Sequence, residues 1–126
     1  MKVFGHIWID SKPIKRVYSI DDIKNSNPNS ILLLEPLIDS IELAKYCQLN
    51  SISYALSLSY IKDAIFANAL NASYIIVEEE DAYIIQPIAQ HYLFDTEILV
   101  LISDEESISR LAIEGIDGVV FANAIQ

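Results

Sequence analysis

Glycine, cysteine and basic residues are all scarce in this chain, and each shortage removes a class of function. The only glycines are Gly5, Gly115 and Gly118. They cannot build a Gly-rich phosphate loop, which weighs against nucleotide or flavin binding through a fingerprint turn. The single Cys47 rules out an intramolecular disulfide and fits a reducing compartment, so a cytoplasmic location is expected. Eight Lys and Arg stand against eighteen Asp and Glu, a formal net charge of −10. A phosphate backbone attracts cations and repels carboxylates, so no nucleic acid partner is expected. No membrane partner is expected either, because an anionic surface repels the same charge. No apolar run nears the ~20 residues of a membrane span, and no secretory signal follows Lys2.

What remains is a chain well supplied with core-forming residues. It has 126 residues, 52% of them hydrophobic, and only four prolines. That suits one compact domain and argues against disorder. The charge is uneven: residues 1–30 carry +2 and residues 31–126 carry −12. A basic arm on an acidic body can fold back on itself or meet a second copy, although a plain solvated surface gives the same count.

Lys2 to Ile9 reads as a strand, and Asp10-Ser11-Lys12-Pro13 as a turn. Ile14 to Ser19 then completes a β-hairpin. Ser19 can cap a short helix over Ile20 to Lys24, with Asp21 and Asp22 in its first turn. This makes residues 1–30 an accessory segment, separate from a βα-repeat domain over residues 31–126. Within that domain apolar strands begin near residues 31, 52, 74, 98 and 118. Helical spacing lies between them: Asp39 onward, Ser59 to Leu70, Asp81 to Leu93 with Pro87 inside, and the helix after Ser103. Ser103-Asp104-Glu105-Glu106 has the form of a capping box, and Gly115 can end the helix that follows. Strict β/α alternation predicts a parallel sheet. Unbroken apolar strands predict that both faces are covered.

The five βα units from Ile31 to Phe121 resemble a response-regulator receiver domain, which has a flavodoxin-like fold. The resemblance implies a five-stranded parallel sheet, order 2-1-3-4-5, with helices on both faces. Glu78, after Tyr74-Ile75-Ile76-Val77, matches the position of the phosphorylated Asp. Glu35 matches the acidic residues that hold Mg²⁺, and Ser103 the hydroxyl after the fourth strand. Asn123, or nothing, matches the Lys after the fifth. The acceptor is therefore changed and the Lys is absent, which implies a receiver without phosphotransfer whose Glu78 already bears negative charge. A second resemblance runs from Ile113 to Ile125, which looks like the last strand of phosphate-binding (β/α)8 barrels, with Ala122-Asn123-Ala124 at the phosphate turn. The chain is half the ~250 residues of such a barrel. The alternative fold is therefore a half (β/α)8-barrel whose open edges would demand dimerisation.

Candidate ligand-binding residues are Glu35, Glu78, Ser103, Asp104 and Asn123, all at strand C-terminal ends, where open α/β sheets bind ligands. Glu35, Glu78 and Glu79 could chelate a hard cation; a structural reading of Glu79, Glu80 and Asp81 as the acidic first turn of a helix competes. No cofactor is expected unless Mg²⁺ or Ca²⁺ occupies that set. Cys47 falls on an apolar helix face and reads as a core thiol. His6 and His91 have no metal-ligand spacing. Phe4, Trp8 and Tyr18 need somewhere to pack, either this chain's sheet edge or a homodimer interface. The expected function is a non-catalytic regulatory or protein-interaction module, with a protein partner or a second copy. The alternatives are a small metal-binding protein or enzyme with an acidic site, or the half-barrel dimer.

Overall fold

A computed structural model describes residues 1–126. Seven strands form one sheet: β1 (Lys2–Phe4), β2 (Ile14–Arg16), β3 (Ile31–Leu34), β4 (Tyr54–Ser57), β5 (Tyr74–Val77), β6 (Glu97–Ile102) and β7 (Gly118–Phe121). The helices are α1 (Ile20–Lys24), α2 (Leu37–Leu49), α3 (Ile61–Ala69), α4 (Glu79–His91) and α5 (Ser107–Ile113). A 3₁₀ turn, Ala122–Ala124, follows β7. The strand order is β1-β7-β6-β5-β4-β3-β2, and every neighbouring pair is parallel.

That order decides where the helices go. From β2 to β7 each strand steps in the same direction, so right-handed crossovers put every helix on the same face. Two cores result. On one face, Leu32, Leu34, Leu56, Ile75, Val77 and Val100 meet Ala44, Cys47, Ala64, Ala67, Ile85 and Leu111 of the helices. On the other, Phe4, Ile14, Ile31, Leu33, Ala55, Ile76, Leu99, Val120 and Ala124 are buried together, with no helix among them. A sheet can bury such a face only by curling over it. Its margins meet: Ile14 bridges Ile125, the Gln126 amide donates to the Ile14 carbonyl (2.7 Å), and the Arg16 amide to the Gln126 carbonyl (3.1 Å).

The fold is therefore α/β with a parallel sheet, but seven strands replace five, and the helices cover one face. The half-barrel alternative is the closer description. The 2-1-3-4-5 order gives way to a sequential one. The expected hairpin is also corrected. β1 pairs with β7, β2 pairs with β3, and the two run parallel at opposite margins of the sheet. The turn-forming residues after Ile9 do not reverse the chain into a hairpin; residues 5–13 carry it from one margin to the other. The accessory segment thus supplies two strands of the one sheet.

Two of the four expected helix ends match the structure. Ser19 accepts from the Asp22 amide and caps α1, and Gly115 ends α5 with φ +75°. Asp39 does not cap α2, which starts earlier at Leu37 and has a non-helical Ser40. Ser40 Oγ donates to the Glu35 carbonyl at 2.7 Å, tying that break to the end of β3.

Gly118 leaves no room for a side chain between β6 and β1. A Cβ there would lie 2.6 Å from Leu99 Cδ2 and 2.8 Å from the Lys2 carbonyl oxygen. Gly118→Ala should destabilise the chain by about 1–3 kcal/mol, the usual cost of overpacking. Urea unfolding measures this, and an unchanged midpoint would mean that β1 does not close against β7.

Candidate functional site

All seven strands are parallel, so their C-terminal ends open on one face. In barrel and open α/β folds that face carries the binding residues. Leu33, Ala55, Ile76 and Leu101 point to the helix-free core. Strand side chains alternate, so Glu35, Ser57, Glu78 and Ser103, each two residues further on, belong to the same side. The backbone remains extended at Glu78 (φ −73°, ψ 158°). All four are exposed, and they rim the mouth of the curled sheet.

The remaining candidates are used elsewhere. Glu79 opens α4 and faces α5, where Arg110 grips it with both ends of its guanidinium, each at 2.8 Å. The Tyr83 hydroxyl donates to the same carboxylate at 2.6 Å. Together Arg110 first, then Tyr83, hold the Glu79 carboxyl down at about 2. Asp104 accepts the Glu106 amide at 2.9 Å and shapes the turn into α5. The helix starts at Ser107, so Ser103 is not the cap of a capping box. Asn123 donates to the Gly5 carbonyl at 3.2 Å and ties the last turn to the exit of β1. No group of three His, Cys, Asp or Glu side chains is arranged to hold a metal ion, so Glu35, Glu78 and Glu79 do not converge. Cys47 is fully buried, and burial pushes its thiol up to about 11, as a core residue requires.

The strand expected over Lys2 to Ile9 ends at Phe4, and an ordered loop follows it. His6 makes it. Its Nε2 lies 2.7 Å from Glu105 Oε2, and its Nδ1 accepts the Trp8 amide at 3.1 Å. That pairing assigns the ring proton to Nε2. The imidazole also meets the rings of Trp8 (5.2 Å) and Phe121 (5.6 Å). The Ile9 amide donates to the His6 carbonyl, closing a turn, and the Gly5 amide donates to Ser11 Oγ. The loop is thus tied at both ends, yet Ile7 is 92% and Trp8 84% exposed at its tip.

A second feature of this face is a groove of about 930 Å³ between the first turns of α2 and α3 and the exit of β4. Ile38, Leu58, Tyr60, Ile61 and Ile84 line it, and Ile38 is 90% exposed. At the opposite face, the Lys2 ammonium joins the strand starts. It pairs with Glu97 at 2.7 Å and donates to the Tyr74 hydroxyl at 3.2 Å. Glu97, then Tyr74, raise its pKa.

A scan against protein-family models finds no match, and a search of curated proteins finds none.

The Glu79–Arg110 pair gives a signed pH test. Glu79 is held below its ordinary 4.5. Its contribution is therefore present above pH about 4.5 and lost as pH falls towards 2. Both side chains are partly exposed, so solvent screens the pair and its contribution is small. Glu79→Gln should unfold at lower urea than the parent at pH 7, with the gap closing near pH 2. Equal midpoints at pH 7 would remove the pair from the stability of the α4–α5 contact.

Proposed function

We propose that this chain is a non-catalytic protein-interaction module, and that the loop carrying Trp8 is its docking element. One observation carries the reading: a loop held by His6, Ser11, Asn123 and Glu105 presents its apolar tip to water. Ordering a loop costs conformational entropy, and an indole that is mostly exposed returns little of it within the chain beyond its edge contact with the His6 ring. A pre-ordered aromatic anchor is what a binding hot spot uses. Three of the candidate polar side chains are already occupied. Glu79, Asp104 and Asn123 are engaged in internal bonds, and no buried side-chain polar atom lacks a partner.

The rival reading is a small metal-binding protein or enzyme that uses the acidic rim. Its support is the placement of Glu35 and Glu78 at the mouth of the sheet. It requires heat on titration with Mg²⁺, Ca²⁺ or Mn²⁺, and Glu35→Gln with Glu78→Gln must abolish that heat.

The deciding comparison uses the tagged chain, cross-linked in its native cells. Trp8→Ala should keep the parent's melting temperature, because surface changes rarely exceed about 0.5 kcal/mol. It should nonetheless lose the cross-linked assembly, whereas the Glu35→Gln/Glu78→Gln double variant keeps it. An assembly that survives Trp8→Ala and fails in the double variant would transfer the function to the acidic rim.

A further inference from the structure

The two nitrogens of the His6 ring make opposite demands on its protons. Nδ1 accepts the Trp8 amide at 3.1 Å, and Nε2 lies 2.7 Å from Glu105 Oε2. A backbone N–H can only donate, so Nδ1 must keep its lone pair. An ionised carboxylate can only accept, so Nε2 must carry the proton. The two bonds therefore coexist only on a neutral ring in one tautomer. Histidine is also the side chain that changes charge most readily near neutral pH. A second proton goes to Nδ1. There it faces the Trp8 N–H with no lone pair left to bond it. The same proton makes the Nε2 bond to Glu105 charge-assisted and stronger.

No neighbour compensates for the lost acceptor. The His6 side chain is only 14% exposed, so most of the ring is shielded from water. Phe121 from β7 and the Trp8 indole pack against it, and neither side chain carries a charge or an acceptor. From the β6–α5 connection, Glu105 bonds the ring, while Asp104 is turned to the Glu106 amide. From the last turn, Asn123 is turned to the Gly5 carbonyl. Asp10, Lys12 and Glu106 make no bond to the ring, which leaves Glu105 as the only charged group bonded to it.

We infer that His6 is a pH-sensitive latch on the Trp8 loop. Neutral, it holds the loop in its ordered form. Protonated, it keeps Glu105 and releases the Trp8 amide. The other ties of the loop do not use the ring: the Ile9 amide donates to the His6 carbonyl and the Gly5 amide to Ser11 Oγ. Release therefore changes the tip and leaves the sheet alone. This deepens the docking-loop reading, on which the use of the latch in recognition rests.

The latch itself is tested on the purified chain, with no partner. Ring-nitrogen NMR at about pH 8, above the range in which histidine charges, should show the His6 proton on Nε2 alone. The second readout is exchange of the Trp8 amide with solvent, relative to an unstructured peptide at the same pH. Between about pH 8 and pH 5 it should rise about tenfold, roughly the factor that one hydrogen bond supplies. His6→Asn supplies an acceptor that does not titrate, since an Asn oxygen bonds the amide two residues on. Its Trp8 exchange should stay slow and flat over the same range. Glu105→Gln keeps an acceptor for Nε2 but removes the charge that favours imidazolium, so the transition should move to lower pH. His91→Gln, in the last turn of α4, should leave the transition in place.

Flat Trp8 exchange in the parent overturns the inference. So does a rise that persists in His6→Asn, or a ring proton found on Nδ1 at the upper end of the range. Docking is judged separately. If Trp8→Ala keeps its assembly in cells while the exchange follows His6, the latch stands and recognition through this loop fails. If Trp8→Ala loses its assembly while the exchange is flat, the docking loop stands and the latch fails.

Discussion

The structure depends on one constraint: the helix-free face of a parallel sheet must be kept from water by the sheet itself. Sequential strand order sends all five helices to the other side. Ile31, Leu33, Ile76, Leu99 and Val120 would then lie open across a broad apolar surface. Exposure of that size is not tolerated in a monomeric fold. Curling removes it, and the short strands β1 and β2 finish the curl. β1 adds Phe4 against the Tyr74 ring at 5.3 Å, while β2 hands its open edge to Ile125 and Gln126. Nearly every other feature follows from this closure, including the glycine at Gly118, the clamp made by Lys2 and the placement of the loop after β1.

The curled interior is filled rather than hollow. Phe4, Ile14 and the branched residues of β3, β5 and β6 occupy it, with Ala55 and Ala124 as the small partners that let the opposite walls approach. As in larger barrels, such an interior is a core and not a pore. At the strand-start end a cavity of about 510 Å³ reaches Phe4, Ile31 and Tyr74 at the border of this core. The same crowding fixes the exits of the strands, which is why the short loop after β1 can be held so firmly. His6 needs Phe121 of β7 and Glu105 of the β6–α5 connection on either side of it.

Much of this was legible in the sequence, and the limits have physical causes. From residue 31 onward the apolar runs and their spacing of about twenty residues identified five strands and the helices between them. Ser19 and Gly115 announced their caps because a cap is decided within four residues. Strand order was not legible: an apolar run buried by helices on both faces reads the same as one buried by helices and by its own sheet. β1 and β2 were misread because each pairs with strands far away in the chain, Lys2 with Gly118 and Ile14 with both Ile31 and Ile125. Glu35, Glu78 and Ser103 could be placed on one rim because the strand period of two carries past the strand end. Glu79 could not, since its partner Arg110 is thirty-one residues away.

The loop around Trp8 shows where periodicity misleads. Phe4, His6 and Trp8 alternate as in a strand, and the chain nevertheless leaves the sheet at Gly5, whose φ of +89° turns it outward. A Cβ at Gly5 would come within 2.9 Å of Ala124 Cβ, so the close approach of the last turn also demands glycine there. His6 then replaces ladder hydrogen bonds with side-chain ones. It accepts the Trp8 amide and leans on Glu105, and the indole is left outside. The geometry that closes the sheet at its margin is thus the geometry that puts an apolar side chain in water. Closure of the margin and exposure of the Trp8 indole are coupled through Gly5.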